Sequence, residues 1–265
     1  IFLIISSIIS SVSGLVMVFE KSPSAADAQA VRASISVTND AEASGGEDPL
    51  TIEEVRGLIS AARNAQNRIV SKQDLLSRIY TMPATFGRVF RAGISPNQRN
   101  PLATNMYIVN RNISGKLTLS PDSLKKNIVT YLNEFRLISD AIDILDARIV
   151  NVGIEFKISV DPNFSPDAVL RSCISKLINY MNVENFQIGE PIRSSDLTNL
   201  VYNTPGVLAV VDLRVVNKTG SEGTRIYSHV IHNVRENTSK GLVFPPEGGI
   251  FEVKFPSLDI KGAIV

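Results

Sequence analysis

The sequence predicts an α+β fold: small mixed or antiparallel sheets with helices packed on one face, preceded by a β-rich N-terminal segment. Three observations carry that expectation. Apolar residues alternate with other residues from Val150 through Val152, Ile154, Phe156, Ile158 and Val160, the period of a half-buried strand. Two Ser-Pro pairs, Ser120-Pro121 and Ser165-Pro166, each precede apolar residues at helical spacing. Strands and helices also alternate without the strand–glycine–helix phosphate turn of a dinucleotide-binding unit, and no short repeat marks a solenoid.

In chain order, residues 1–38 read as β structure, broken at Lys21 to Ala30 and resuming at Val31 to Val37. Ile1 to Phe19 carries no charge and approaches the length of a bilayer span, but its serines, Gly14 and the alternation at Leu15, Met17 and Phe19 favour buried strands. A start at Ile1 reads as a fragment or a processed product. Thr38 to Pro49 is a polar loop whose acids, Asp40, Glu42, Glu47 and Asp48, lack the oxygen spacing of a calcium loop. Thr51-Ile-Glu-Glu54 is a capping box before Val55, Leu58, Ile59 and Ala62, and a second cap at Ser71 precedes Asp74, Leu75, Leu76 and Ile79.

Met82-Pro83 stops that helix. Phe86 to Ile94 and Met106 to Val109, with a Pro/Asn-rich turn between them, form an expected hairpin. The helix after Ser120 carries Leu124, Ile128, Val129, Leu132 and Phe135 on one face, and the helix after Ser165 carries Val169, Cys173, Leu177 and Tyr180. A short helix over 195–202, a strand over 207–216, a polar stretch over 217–240 and a closing strand near Phe251 to Phe255 complete the chain. The expected domains are 1–46, the end of an upstream β-rich region; 47–116, a helical pair and hairpin; 117–217, an α+β domain; and 218–265, a C-terminal extension.

Composition narrows the function. Apolar residues are 44% of 265, enough for a real core. Basic and acidic residues number 27 and 26, a net charge of +1, and there is no Trp, so neither a phosphate-binding surface nor a base-stacking platform is indicated. The single cysteine, Cys173, sits in an apolar helical stretch and reads as a small buried side chain. His229 and His232 are three residues apart, but a zinc site needs a further ligand; Glu236 could supply one only on a helix, which Tyr227, Val230 and Ile231 argue against. Asp140, Asp143 and Asp146 would cluster on one helical face, which reads as a solvated acidic surface. Ser194-Ser-Asp196 reads as helix capping, and no Gly-x-Ser-x-Gly elbow occurs. No catalytic, cofactor-binding or metal residue is therefore expected.

Three stretches together resemble the J-like wedge proteins of contractile-phage baseplates and their T-even-type wedge relative. Ala43-Ser-Gly-Gly-Glu-Asp-Pro-Leu-Thr-Ile-Glu-Glu-Val-Arg56 is similar to that family's Gly-Gly-x-Asp entry into a helix. Asn67-Arg-Ile-Val-Ser-Lys-Gln-Asp-Leu-Leu76, then Tyr80, Pro83 and Gly87-Arg-Val-Phe-Arg-Ala92, is similar to its helix start and following strand, with Leu75 and Leu76 where the family often has an aromatic. From Leu124 to Val216 the order is helix, Asp146-Ala-Arg-Ile-Val-Asn-Val152 and its strand, helix, Ile188-Gly-Glu-Pro-Ile192, short helix, Pro205-Gly-Val207 and strand, as in that family's C-terminal half. The tail after Val216 has no counterpart.

The resemblance implies a non-enzymatic structural subunit of the virion tail baseplate, assembled in the host cytoplasm. Such a subunit would hold no cofactor, touch neither nucleic acid nor membrane, and associate as a homodimer or ring with other wedge and hub proteins. A start in mid-strand without a methionine reads, in that light, as the C-terminal part of a longer wedge protein. The other readings are a structural domain of another secretion or tail-like machine, a metal-dependent enzyme, and a membrane-anchored domain using Ile1 to Phe19.

Overall fold

Residues 52, 56, 68–100, 102–136 and 141–265 are described by the computed structural model, and all of them fall in one unit, Ala43–Val265. The expected strands before residue 38, the acidic loop and the Thr51 capping box lie outside the described residues, although Ile52 and Arg56 are helical. The chain is α+β, with small mixed and antiparallel sheets. No helix among the described residues is long and apolar enough to cross a membrane.

The first described helix, α1 (Lys72–Tyr80), begins where the sequence places it. The Asp74 amide donates to Ser71 Oγ at 3.1 Å and the Ser71 amide donates to the Asp74 carboxylate at 2.9 Å, a reciprocal capping box. The hydrogen bonds from Ser71 hold the Asp74 carboxyl below the usual range. Leu75 and Ile79 point into the core. The strand expected from Phe86 starts later: Ala84–Phe86 forms a 3-10 turn, and Gly87 at φ 98° breaks the chain direction. Strand β1 (Arg91–Pro96) then pairs antiparallel with β2 (Ala103–Arg111), which makes the predicted hairpin. Two-residue β3 (Leu117–Thr118) pairs with the end of β2.

Helix α2 (Asp122–Leu132) takes Pro121 as its cap residue, so Ser120 precedes the cap instead of forming it and is buried. Its inward stripe is Leu124, Ile128, Tyr131 and Leu132; Val129, expected inside, is 43% exposed. A larger correction follows. Ala141–Asp146 is a strand, β4, parallel to β2, where a helical acidic face was expected. Ile142 and Ile144 alternate with the exposed Ala141, Asp143 and Leu145 and pack against the α1–α2 core, which is a period of two and not of three to four.

The longest strand, β5 (Arg148–Val160), organises the rest. It pairs antiparallel with β7 (Val207–Asn217) and parallel with β12 (Gly249–Glu252) and β13 (Ile260–Ile264). Both β7 and β13 register against Ile154 to Ile158, so they lie on opposite edges of β5. Helices α3 (Pro166–Tyr180) and α4 (Ser194–Tyr202) cover one face through Val169, Cys173, Leu177, Leu197 and Val201, packed on Ile154, Phe156 and Ile158. Ser165 caps α3 and Pro166 opens it, although the Ser165 hydroxyl makes no capping bond. At the start of α4 the expectation fails: Arg193 is the cap residue, no side chain caps the helix, and Ser194 is already helical.

The C-terminal extension is more structured than its polar sequence suggested. It contributes two small hairpin strands, β8 (Ser221–Glu222) and β9 (Arg225–Ile226), and then β10 (Thr238–Ser239) and β11 (Leu242–Val243), which extend β6 (Ile192–Arg193). The expected closing strand is β12. After it come a one-turn helix, α5 (Pro256–Asp259), and β13, neither of which the sequence announced. The extension reaches β2 at Gly248, which lies against Tyr107, and the Gly248 carbonyl accepts from the Arg148 amide of β5 at 2.9 Å. Gly248 has φ 66°, and a Cβ there would lie only 2.3 to 2.6 Å from ring carbons of buried Tyr107.

This contact yields a comparison between two glycines in the left-handed region. Gly241 has φ 75° with open space around it, so Gly241→Ala should cost only the backbone strain, roughly 1 kcal/mol. Gly248→Ala carries the same strain plus displacement of Tyr107, and should cost more than about 3 kcal/mol. Urea unfolding of the two variants measures both; equal losses would show that Tyr107 yields freely.

Candidate functional site

Cys173 is fully buried on α3, and burial pushes its thiol up, which disfavours the nucleophilic thiolate. The sequence reading of a small core side chain holds. His229 and His232 lie in a non-helical segment that turns one outward and one inward. His232 is buried with its ring 5.9 Å from that of Phe251, and its amide donates to Asn217 Oδ1 at 3.0 Å. Glu236 is exposed. Among the described residues, no group of three or more His, Cys, Asp or Glu is placed to hold a metal ion.

Asp140 lies outside the described residues, and Asp143 and Asp146 do not share a face. They sit three apart on β4, where side chains alternate, so they point to opposite sides of the sheet. Asp146 pairs with Lys125 Nζ at 2.6 Å, and this hydrogen bond pushes the Lys125 ammonium up. Asp143 accepts from Asn97 Nδ2 at 3.2 Å. The carboxylate cluster envisaged for a helix is therefore not assembled. Ser195 and Asp196 approach only to 3.5 Å at the start of α4, where Asp196 also accepts from the Tyr180 hydroxyl at 3.4 Å.

What the sequence reading missed is a buried polar junction between the extension and β5. Glu252 is 2% exposed, and both its oxygens are used: one accepts from the Leu117 amide at 2.7 Å, the other from Asn151 Nδ2 at 2.7 Å. Asn151, 1% exposed, accepts at Oδ1 from the Ser228 amide at 2.7 Å. Its carbonyl accepts from the Lys218 amide at 2.8 Å and from Asn217 Nδ2 at 3.0 Å. A second knot lies nearby in sequence: the Tyr227 hydroxyl donates to Asp259 Oδ1 at 2.6 Å, and the Phe255 amide donates to Asp259 Oδ2 at 2.9 Å. Burial, with the Asp259 hydrogen bond, pushes Tyr227 up to about 12. These carboxylates are saturated by protein donors, which suits a strap and not a general base. The available signal was an Asn inside the apolar run Ile149-Val-Asn-Val152 and a Glu inside Ile250-Phe-Glu-Val253.

Two surfaces stand out among the described residues. A groove of about 870 Å³ runs beside β4, lined by Arg99, Lys126, Val129, Asp143, Leu145 and Glu247. Its charges are mixed. The other surface is β7, where Leu208 is 55% and Val211 58% exposed.

No protein-family model matches the chain, and no curated protein matches it. Among solved structures, a chain of the anti-feeding prophage baseplate, determined by cryo-electron microscopy with six-fold symmetrisation, is similar at 12% identity and a TM-score of 0.47. The alignment covers 63% of this chain and 38% of that one, so the chain spans well under half the length of the structure it matches.

Burial is the largest influence on Glu252 and pushes its carboxyl above the usual range, against the pull of its two hydrogen bonds. The stability linked to this group is full below the ordinary glutamate pKa and is lost as pH rises through the elevated folded-state value. Glu252→Gln should remove that dependence. The unfolding free energy of the native chain minus that of the variant should then fall across the range of rising pH that begins at the ordinary glutamate pKa. A difference that stays level across that range in urea titrations would show that Glu252 does not change its ionisation on folding.

Proposed function

We propose that this chain is a non-enzymatic structural subunit of the baseplate wedge of a contractile phage tail, which self-associates and links wedge subunits around the tail hub. The observation that carries this reading is the order of elements from Leu124 to Val216. Helix α2, strand β5, helix α3, the Ile188-Gly-Glu-Pro-Ile192 turn, short helix α4, Pro205-Gly206 and strand β7 come in the order that the resemblance to J-like wedge proteins implies, with β4 as an added strand between α2 and β5. Within that order, both turns sit where only glycine fits easily: Gly189 has φ 85° and Gly206 has φ 91°.

The chemistry of the interior agrees with a structural role. The Glu252 and Asp259 carboxylates are consumed by hydrogen bonds, the thiol is sealed in the core, and the histidines are separated into different environments. Surface apolar residues such as Leu208, Val211, Ile226 and Ile231 give the chain material for lasting contacts with other subunits. By the same reading the partners are a second copy and other wedge and hub proteins, and the site of action is the virion tail baseplate after assembly in the host cytoplasm.

The purified chain should sediment as a dimer or larger ring at about 10–100 μM and should co-purify with co-expressed tail proteins. A stable monomer that captures no tail protein would overturn the reading. So would stoichiometric zinc that is lost in His232→Ala, which would make the chain a metalloprotein.

A further inference from the structure

Strand β7 is 11 residues long and, among the described residues, pairs on one side only, with β5. Its other edge presents backbone N–H and C=O groups along a strand with neither Pro nor Lys, the residues that most often blunt such an edge. Apolar side chains accompany it: Leu208 and Val211 are more than half exposed, and Phe164, beside Gly206 at the start of the strand, is 46% exposed. An open edge with this lining is a template for strand addition.

The charge order on the strand selects the occupant. Register with β5 is unbroken from Val152 opposite Asn217 to Lys157 opposite Asp212, so Asp212 and Arg214 lie on one face. Their side chains are 46% and 55% exposed. Arg214 Nε lies 3.2 Å from Glu155 and 4.0 Å from Asp212 of the same chain, contacts that leave most of its five donors directed elsewhere. If two β7 edges pair antiparallel about a two-fold axis through Leu213, each Asp212 faces the Arg214 of the other copy. The strand is thus complementary to itself, as an isologous interface requires. The register shifts between Lys157 and Ile158 and between Ser159 and Val160 twist the strand beyond Asp212 and disfavour other alignments.

We infer that the free edge of β7 is the surface by which the chain pairs with a second copy, joining two β5–β7 sheets into one continuous sheet across the axis. The inference rests on the self-association proposed above and names its site.

Sedimentation of the full chain tests it with four variants. Asp212→Arg and Arg214→Asp each place like charges across the axis and should raise the dimer Kd at least about tenfold, and the double swap should return it to within about threefold of the native value. Leu208→Lys, at a half-exposed position that leaves the core intact, should also weaken the dimer. A dimer indifferent to Asp212→Arg, Arg214→Asp and Leu208→Lys overturns the β7 assignment while self-association stands. A double swap that stays as weak as the single ones overturns the Leu213-centred register. A native chain still monomeric at about 100 μM overturns both the surface and the self-association.

Discussion

Asn151 occupies a position at which a strand has no access to water, and its bonds hold the second half of the structure in place. The first half of β5, from Ile149 to Ile154, is buried on both faces, so a polar side chain there must find every partner inside the protein. The Asn151 side chain does so with Glu252 and Ser228, while its backbone carbonyl accepts from Asn217 and Lys218, all from β7 and the extension that follows it. The amide therefore works as a registration pin. It selects one placement of a polar, short-stranded tail that hydrophobic burial alone would hold only loosely.

That pin divides the sheet into two regimes. Where the extension covers β5, both faces are closed, and β12 and the Tyr227–Asp259 knot seal them. Past Ile154 the burial of β5 alternates: helices α3 and α4 cover one face and solvent meets the other. Among the described residues, the unpaired edge of β7 belongs to this second regime. The charged pair on β7 and its exposed apolar neighbours lie outside the pinned region, on a strand held rigid by its pairing with β5. A rigid edge with fixed side-chain alternation can recognise a partner at little cost in ordering.

Legibility in the sequence followed the length of each element. The alternation from Val150 to Val160 and the Ser165-Pro166 start, with Val169, Cys173 and Leu177 behind it, placed β5 and α3 almost to the residue, because repeated period and cap chemistry are local. Ser71 and Asp74 were readable for the same reason. Strand β4 was misread because Asp140, Asp143 and Asp146 also fit a helical spacing, and six residues are too few to separate the periods. Strands β8 to β11 contain two residues each, which carry no period at all.

For the candidate site, residue chemistry was readable and its assembly was not. Counting one cysteine and two histidines limited what chemistry the chain can perform, and the Cys173 side chain is buried as its apolar neighbours indicated. Which side of β4 each aspartate takes, that Glu252 meets Asn151 across 101 positions of chain, and that β7, among the described residues, pairs on one edge only with Asp212 and Arg214 aligned depend on long-range pairing. By itself the sequence determined the α+β class, the long strand and the helices on its face, since those follow from periods within a few residues. Only the tertiary structure decided where the polar tail docks and which edge stays open, because hydrogen-bond partners and strand neighbours far apart in sequence leave no local periodic trace.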